Sequence, residues 1–179
     1  MVIQGDVYIG SSGCAGETQI AMEGLQADEK NYIKEFTYLR PWGVDLGIVH
    51  EAKKAVDKGM ATEILGMAKG DPKKIASSSV IDAAKKGDKL AIDIIGNAGK
   101  NLGVRVAYMV NMLNPDIIII GGGIEKAGDV LMDPLKATMR KYAFEEPASV
   151  VKVVPSLLGE DAVVLGAAAL AAREIFIQA

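Results

Sequence analysis

Residues 90–113 carry the most regular alternation of hydrophobic and polar positions in the chain. Apolar residues recur there at the three- and four-residue spacing of an α-helix: Leu90, Ala91, Ile94, Ile95, Ala98, Leu102, Val106, Val110 and Leu113. This spacing predicts one amphipathic helix of about seven turns. Gly96, Gly99 and Gly103 lie within it, and each costs about 1 kcal/mol of helix propensity relative to alanine. We therefore expect another element to pack closely against these glycines.

Shorter helical patterns lie on both sides of this long helix. The sequence predicts helices at 44–58, around 62–68, at 131–142 with a kink near Pro134, and at 161–176. The last of these is very apolar. Residues 79–82 resemble a capping arrangement in front of a further helix, and Gly87 is expected to end that helix.

Two apolar runs in the second half of the chain predict β-strands. Asp116 and the four isoleucines after it are bounded by Pro115 and Gly121. This run is too short for a helix, so we expect a strand that is buried on both faces. Residues 150–154 predict a second strand. The order strand, glycine turn, helix, strand, helix is typical of a parallel βαβ unit, in which ligands bind at the carboxyl ends of the strands.

The N-terminal residues have the pattern of a β-hairpin. Residues 2–3 and 7–9 are β-rich and flank a turn at 4–6. The first arm is short for a strand, which indicates that Met1 lies within a longer gene product. Gly10, Gly13 and Gly16 follow, and they predict a loop whose backbone can approach a ligand or a neighbouring element closely.

Composition limits the classes of protein to which the chain can belong. Half of its 179 residues are hydrophobic and 24% are charged, which predicts one folded unit over 1–179 and excludes disorder. With 20 basic and 23 acidic residues and no dense Lys or Arg block, we expect no nucleic-acid binding by this chain alone. A single cysteine, Cys14, no signal pattern and no apolar run near the roughly 20 residues of a membrane span predict a soluble, cytoplasmic protein.

Three motifs together resemble the ROK family of bacterial sugar kinases and transcriptional repressors. They are GSSGCAGE at 10–17, LNPDIIIIGGG at 113–123 and LGAAALAA at 165–172. The resemblance implies an α/β fold, the C-terminal lobe of the ribonuclease-H-like (actin-like ATPase) type, with a mixed sheet and flanking helices. It covers nearly the whole chain. Residues 1–179 would then be a single lobe, with the N-terminal lobe and any DNA-binding domain absent from this chain.

The resemblance also implies two binding sites. Glu17, with Gly16 before it, matches the family's sugar-binding glutamate, and a carboxylate suits that role because it accepts several hydrogen bonds from a polyol. From the residues alone, Glu17 is equally well a surface glutamate that caps the next helix. Gly121, Gly122 and Gly123 (the triple glycine) match the family's adenosine-binding turn. Their alternative role is a tight strand-to-helix turn, which also needs glycines.

Departures from the family pattern restrict the predicted chemistry. The family's kinases continue after the glutamate with a Gly-His pair and a cysteine-rich zinc loop, whereas Glu17 is followed here by Thr18 and Gln19. The sole histidine, His50, lies in a helical pattern without partners, so we expect no metal site and no zinc. The family's catalytic aspartate and phosphate loop belong to a segment upstream of this chain, so no catalytic residue is assigned. We expect Asp6, Asp116 and Asp161 to be turn, strand-edge and cap residues.

The functional hypothesis that follows is a sugar-effector-sensing and dimerisation lobe of a ROK-type transcriptional regulator, not catalytic by itself. Its partners would be a small sugar or sugar derivative and a second copy of the chain. The alternative is the C-terminal lobe of an ATP-dependent ROK sugar kinase that resembles glucokinase, with ATP and Mg²⁺ as cofactors of the full-length enzyme. A third hypothesis is a ligand-free lobe that self-associates. The sugar itself is not predicted.

Overall fold

The computed structural model describes residues 1–16 and 47–176, which belong to two compact units, Met1–Gly43 and Val44–Ala179. In the first unit, β1 (Val2–Ile3) pairs antiparallel with β2 (Asp6–Val7). The turn between them has positive φ at both Gln4 and Gly5, 53° and 87°, as a two-residue type I′ turn requires. The predicted hairpin is confirmed. Asp6, expected in the turn, instead lies in β2 opposite Ile3.

The second unit is built from helices and a small sheet. Its α-helices, in chain order, are α1 (Ile48–Asp57), α2 (Ile64–Met67), α3 (Ser77–Lys85), α4 (Lys89–Leu113), α5 (Asp129–Tyr142), α6 (Glu145–Val150) and α7 (Ala162–Phe176). Single 3₁₀ turns occupy Pro72–Lys74, Ile124–Ala127 and Gly159–Asp161. The long helix, the two shorter helices before α3 and the apolar C-terminal helix are therefore confirmed close to their predicted positions.

The start of α3 differs from the prediction. The helix begins at Ser77, after Ala76 in extended conformation, so residues 79–82 lie inside it instead of in front of it. Ser79 still contributes to the helix start, because its Oγ accepts a hydrogen bond of 3.4 Å from the Ala76 backbone N–H. Ser79 is the third residue of the helix, and it caps the backbone N–H of the residue that precedes the helix. Gly87, with φ of 87°, follows the end of the helix as expected.

Close packing between α4 and α5 explains the glycines of the long helix. A Cβ atom built on Gly99 would lie 2.5 Å from the carbonyl oxygen of Leu131, and one on Gly103 would lie 2.5 Å from that of Leu135. These contacts leave no room for a methyl group, so the backbones of the two helices touch. At Gly96 the nearest atom, on Pro134, would be 3.9 Å away, which is an ordinary contact. The prediction of close packing thus holds for two of the three glycines.

The sheet of the second unit is parallel, as predicted. β3 (Ile117–Ile120) lies beside β4 (Lys152–Pro155), with Ile117 opposite Lys152 and Ile120 opposite Pro155. The second strand begins later than expected because residues 145–150 form α6. Pro147 lies in the first turn of α6, where a missing N–H costs nothing.

The prediction that β3 is buried on both faces is wrong. Ile120 is buried and Ile118 packs against the hydrophobic core, whereas Ile117 and Ile119 are 49% and 61% exposed. Side chains alternate between the two faces of a strand. In the described part of the chain, the helices therefore cover one face of this sheet, and the other face is accessible.

The hydrophobic core lies around α4, between it and α1, α2, α3 and α5. Its largest fully buried side chains are Ile48, Ile64, Ile95, Leu131, Leu135, Met139, Val80, Val106 and Val110. In helix α7, most apolar side chains between residues 163 and 172 are exposed; Val163 and Val164 are examples. None of the helices in the described residues has the combination of length and apolar content that crossing a membrane requires.

Candidate functional site

The triple glycine and Ser156 meet at one edge of the parallel sheet. Gly121 follows β3 and Ser156 follows β4, so both lie at carboxyl ends of parallel strands. The backbone N–H of Ser156 donates a hydrogen bond of 2.7 Å to the carbonyl of Ile120. A Cβ atom on Gly121 would lie 3.3 Å from Cβ of Ser156, a tight contact that a side chain could occupy only if Ser156 moved by a few tenths of an ångström. Gly121 therefore lets the two strand ends lie close together.

Gly122 and Gly123 are required by backbone conformation. Their φ angles are 89° and 92°, which side-chain-bearing residues rarely adopt. A Cβ atom built on either glycine would meet no atom of residues 1–16 or 47–176 within 4 Å. Among these residues, the space beside the turn is therefore open. The turn geometry accounts for these two glycines, and the open space is compatible with the ligand-binding role.

The segment after the turn anchors it to the core and supplies an acceptor. Ile124 and Ala127 are buried, and the N–H of Lys126 donates to the carbonyl of Gly123 at 3.3 Å. Between them, Oε2 of Glu125 is buried and receives no hydrogen bond from the described residues. An unpaired buried oxygen is costly, so this carboxylate oxygen is the unusual polar atom of the segment after the turn.

Sequence reasoning did not select Glu125 or Ser156. The rule that ligands bind at carboxyl ends of parallel strands could have selected Ser156, because it directly follows the second strand. Glu125 could not have been found in this way, since its distinguishing property is a buried Oε2 that receives no hydrogen bond from the part of the chain that the structure describes.

The predicted sugar loop belongs to the first unit. Gly10, Gly13 and Gly16 all have positive φ, between 72° and 94°. The loop closes on itself, because the N–H of Ala15 donates to the carbonyl of Ile9 at 3.1 Å. Gly16 is exposed at the end of this loop. Glu17 lies outside the described residues.

The remaining candidate ligands are single exposed side chains. The side chain of His50 is 76% exposed, and its Nε2 lies 4.0 Å from Oε1 of Glu51. His50 is therefore a surface residue of α1. Cys14 is exposed and its thiol points to the carbonyl of Ser12 at 3.7 Å. Within residues 1–16 and 47–176, no group of three or more His, Cys, Asp or Glu side chains is placed to hold a metal ion.

A cleft of about 410 Å³ lies at the opposite edge of the same sheet. It is lined by Asn114, Pro115, Asp116, Ile117, Val150 and Lys152. These residues surround the amino ends of β3 and β4, where Asp116 accepts a backbone hydrogen bond from Lys152 at 3.0 Å. Asp116 is therefore a strand-edge residue, as expected. Because parallel strands bind ligands at their carboxyl ends, we assign the candidate site to the triple glycine and not to this cleft.

Comparison with known proteins gives a consistent result. The model of the ROK family matches residues 49–174. A glucokinase from Thermotoga maritima is 38% identical over 106 residues, which is 59% of this chain and 33% of the glucokinase. A xylose repressor from Caldicellulosiruptor bescii is 26% identical over 170 residues, which is 95% of this chain and 42% of the repressor.

A solved structure shows the same likeness. The ROK family glucokinase from Streptomyces griseus, crystallised in complex with glucose and AMPPNP, is 28% identical to this chain with a TM-score of 0.60. The alignment covers 69% of this chain and 40% of the glucokinase. In each of these three comparisons the chain spans less than half the length of its relative.

Proposed function

Because this chain belongs to the ROK family, we propose that it is the sugar-effector-sensing and dimerisation lobe of a ROK-type transcriptional regulator. The observation that carries this proposal is the extent of similarity. The xylose repressor matches across 95% of the chain, whereas the Thermotoga glucokinase matches across 59%. A repressor therefore accounts for more of this sequence.

The proposed architecture is the ribonuclease-H-like (actin-like ATPase) C-terminal lobe, to which both compact units of residues 1–179 would belong. The parallel strands β3 and β4, with the glycine turn and a helix between them, support it, because this order of elements is typical of nucleotide-binding α/β folds. The TM-score of 0.60 with the Streptomyces glucokinase supports it as well. A cytoplasmic location is part of the proposal, and the exposed free thiol of Cys14 suits a reducing compartment.

Two ligand contacts are proposed. Glu17, presented by the glycine-rich loop that ends at Gly16, would accept hydrogen bonds from sugar hydroxyls. The triple glycine would hold the base and ribose of an adenine nucleotide against its backbone, where Gly122 and Gly123 leave open space. A nucleotide would bind there in a kinase, and in a regulator the same turn would be retained as part of the fold. No residue of this chain is proposed as a catalytic base.

Titration calorimetry tests the sensing role. The chain should bind one of glucose, xylose or N-acetylglucosamine, and Glu17→Ala should weaken that binding at least tenfold because a charged acceptor is lost. Glu51→Ala is the matched control, since Glu51 is an exposed helix residue outside the proposed site. Unchanged binding in Glu17→Ala would remove Glu17 from the site. Absence of binding for all three sugars at millimolar concentration would favour the ligand-free, self-associating lobe.

A sugar kinase is the second candidate, and the 38% identity with the Thermotoga glucokinase favours it. Phosphoryl transfer requires a base, phosphate donors and Mg²⁺ in line with the attacking hydroxyl. We assign neither the base nor the phosphate donors to this chain. A coupled assay with ATP, Mg²⁺ and the same sugars should therefore detect no turnover. Turnover that disappears in Glu17→Ala would make the kinase the first candidate.

A further inference from the structure

The cleft at the amino ends of β3 and β4 has no part in the proposed function. One of its walls is formed by residues 114–117, and the other by Val150 and Lys152. Its volume of about 410 Å³ lies at the lower end of the range that is usual for small-molecule sites, about 300–1,000 Å³. The cleft therefore has room for a small ligand.

The main chain fixes the spacing of the two walls. The backbone N–H of Lys152 donates a hydrogen bond of 3.0 Å to the carbonyl of Asp116, and Ile117 lies opposite Lys152 in the parallel register. On the first wall, Asn114 ends α4 with φ of 43°, and Pro115 follows with a φ angle that its ring restricts. The shape of the cleft thus depends on strand pairing and on a defined helix end.

The cleft carries one acidic and one basic residue, Asp116 and Lys152. Both residues are exposed, and neither side chain forms an ion pair or a hydrogen bond within residues 1–16 and 47–176. Both charges are therefore available to a ligand. A molecule with one ammonium and one carboxylate group can pair with both of them, whereas a dicarboxylate or a diamine would bring a like charge to one of them.

Apolar side chains form the rest of the lining. Ile117 is 49% exposed and Val150 is 62% exposed, and Pro115 lies between the two ends of the first wall. An aliphatic group placed against these side chains would remove apolar surface from water. Two opposite charges beside an apolar wall match the chemistry of an α-amino acid with an aliphatic side chain.

We propose that this cleft binds a free aliphatic α-amino acid. The ammonium group of the ligand pairs with Asp116, its carboxylate pairs with Lys152, and its side chain lies against Ile117 and Val150. The site is at the opposite edge of the sheet from the triple glycine and uses none of the residues proposed to contact sugar or nucleotide. It therefore adds a second class of ligand to the proposed sugar-sensing role.

Heteronuclear NMR titration of the full chain with L-leucine tests the site. The backbone amide signals of Asp116, Ile117 and Lys152 should shift in a saturable way, with a dissociation constant of about 1 mM. Glycine has both charges but no side chain, so it should bind about fivefold more weakly or worse. Absence of saturable shifts up to about 20 mM leucine, or shifts confined to residues outside the cleft, would overturn the proposal.

Two analogues of leucine separate the contributions of the two charges. Isopentylamine keeps the ammonium group and isocaproate keeps the carboxylate, so the wild type should bind each at least tenfold more weakly than leucine. In Lys152→Met, leucine should bind no more tightly than isopentylamine, because the partner of its carboxylate is gone. In Asp116→Asn, leucine should likewise bind no more tightly than isocaproate. An advantage of leucine that persists in both variants would contradict the assigned contacts.

Matched controls exclude an effect of net charge. Lys85→Met on α3 and Asp93→Asn on α4 make the same chemical changes at exposed positions outside the cleft, and both should leave leucine affinity unchanged. A control that weakens leucine binding as much as Lys152→Met would overturn the site. Glucose carries neither charge and should not shift the signals of Asp116 or Lys152. Calorimetry with sugars tests the sensing role separately, so either proposal can fail without the other.

Discussion

The hydroxyl of Thr62 donates a hydrogen bond of 2.8 Å to the carboxylate of Asp88, 26 positions later in the chain. Asp88 is also the N-cap of the long helix α4, where its other oxygen accepts from the N–H of Ala91 at 2.9 Å. The backbone N–H of Glu63 donates to the same oxygen as Thr62. One carboxylate therefore joins the start of α2 to the start of α4.

Asp88→Ala should destabilise the chain more than the loss of an ordinary helix cap. We expect a reduction of about 1–2 kcal/mol in the free energy of unfolding from the cap alone, with a further loss because Thr62 and Glu63 lose their acceptor. Urea denaturation followed by circular dichroism measures this. Asp93→Ala, an exposed aspartate in the same helix, should change the free energy by no more than about 0.5 kcal/mol. Equal effects of the two substitutions would contradict the joint role of Asp88.

The stability that Asp88 provides should disappear in acid. Burial by itself raises the pKa of Asp88, but hydrogen bonds from Ala91, Glu63, Thr62 and Leu90 together hold its pKa below the ordinary value. The contribution is therefore complete above the pKa of an unfolded aspartate, about 3.9, and is lost as pH falls through the lower folded-state value. The difference in unfolding free energy between wild type and Asp88→Ala should be constant from pH 5 to 7 and should shrink below pH 4. A difference independent of pH down to 2 would contradict this account.

Packing between α4 and α5 predicts opposite effects on stability for alanine substitutions at two glycines of α4. Gly103→Ala places a methyl group 2.5 Å from the Leu135 carbonyl oxygen, so we expect a loss of about 1–3 kcal/mol from overpacking. Gly96→Ala has room, with 3.9 Å to Pro134, and should gain up to about 1 kcal/mol of helix propensity. The midpoint of thermal unfolding should therefore fall in Gly103→Ala and rise in Gly96→Ala. A gain of stability in Gly103→Ala would contradict this account and would show that α4 and α5 separate easily to admit a methyl group.

Asn111→Ala should loosen the connection between α5 and α6. The substitution removes hydrogen bonds to Tyr142 and Phe144 and leaves their backbone groups without these partners, at a cost of about 1–3 kcal/mol. Asn97→Ala is the control, because Asn97 is exposed and its side chain accepts from Lys100 at 3.3 Å. Amide hydrogen exchange should accelerate for residues 143–146 in Asn111→Ala and remain unchanged in Asn97→Ala. Unchanged protection in both variants would mean that Asn111 does not fix this turn.

Gly122→Ala should lower nucleotide affinity if the triple glycine binds adenosine. Gly122 and Gly87 both have positive φ, 89° and 87°, and open space beside them. Alanine should therefore strain the backbone about equally at both sites, by roughly 1–2 kcal/mol. Only Gly122→Ala should weaken the binding of ADP, measured by calorimetry, because Gly87 follows α3 and lies outside the site. Equal affinities in the two variants would remove Gly122 from the proposed nucleotide site.

Periodicity and turn chemistry in the sequence determined most local structure. The apolar stripe at 90–113 predicted α4, the four isoleucines between Pro115 and Gly121 predicted β3, and the glycine after Gln4 predicted the hairpin turn. These signals suffice because each depends on neighbouring residues alone. The family resemblance likewise depends on short motifs in a fixed order, and the match over 49–174 agrees with it.

Tertiary contacts decided what the sequence pattern left open. The exposure of Ile119 depends on which face of the two-stranded sheet the helices cover. Residues 145–150 form a helix before β4, which the sequence pattern did not predict. The hydrogen bonds from Thr62 to Asp88 and between Asn111 and the backbone of Phe144 join residues that are distant in sequence. The burial of Glu125 Oε2, which receives no hydrogen bond from the described residues, likewise depends on the folded chain. Local patterns carry no signal for such contacts, because the free energy of burial and of long-range hydrogen bonds depends on neighbours that only the folded chain brings together.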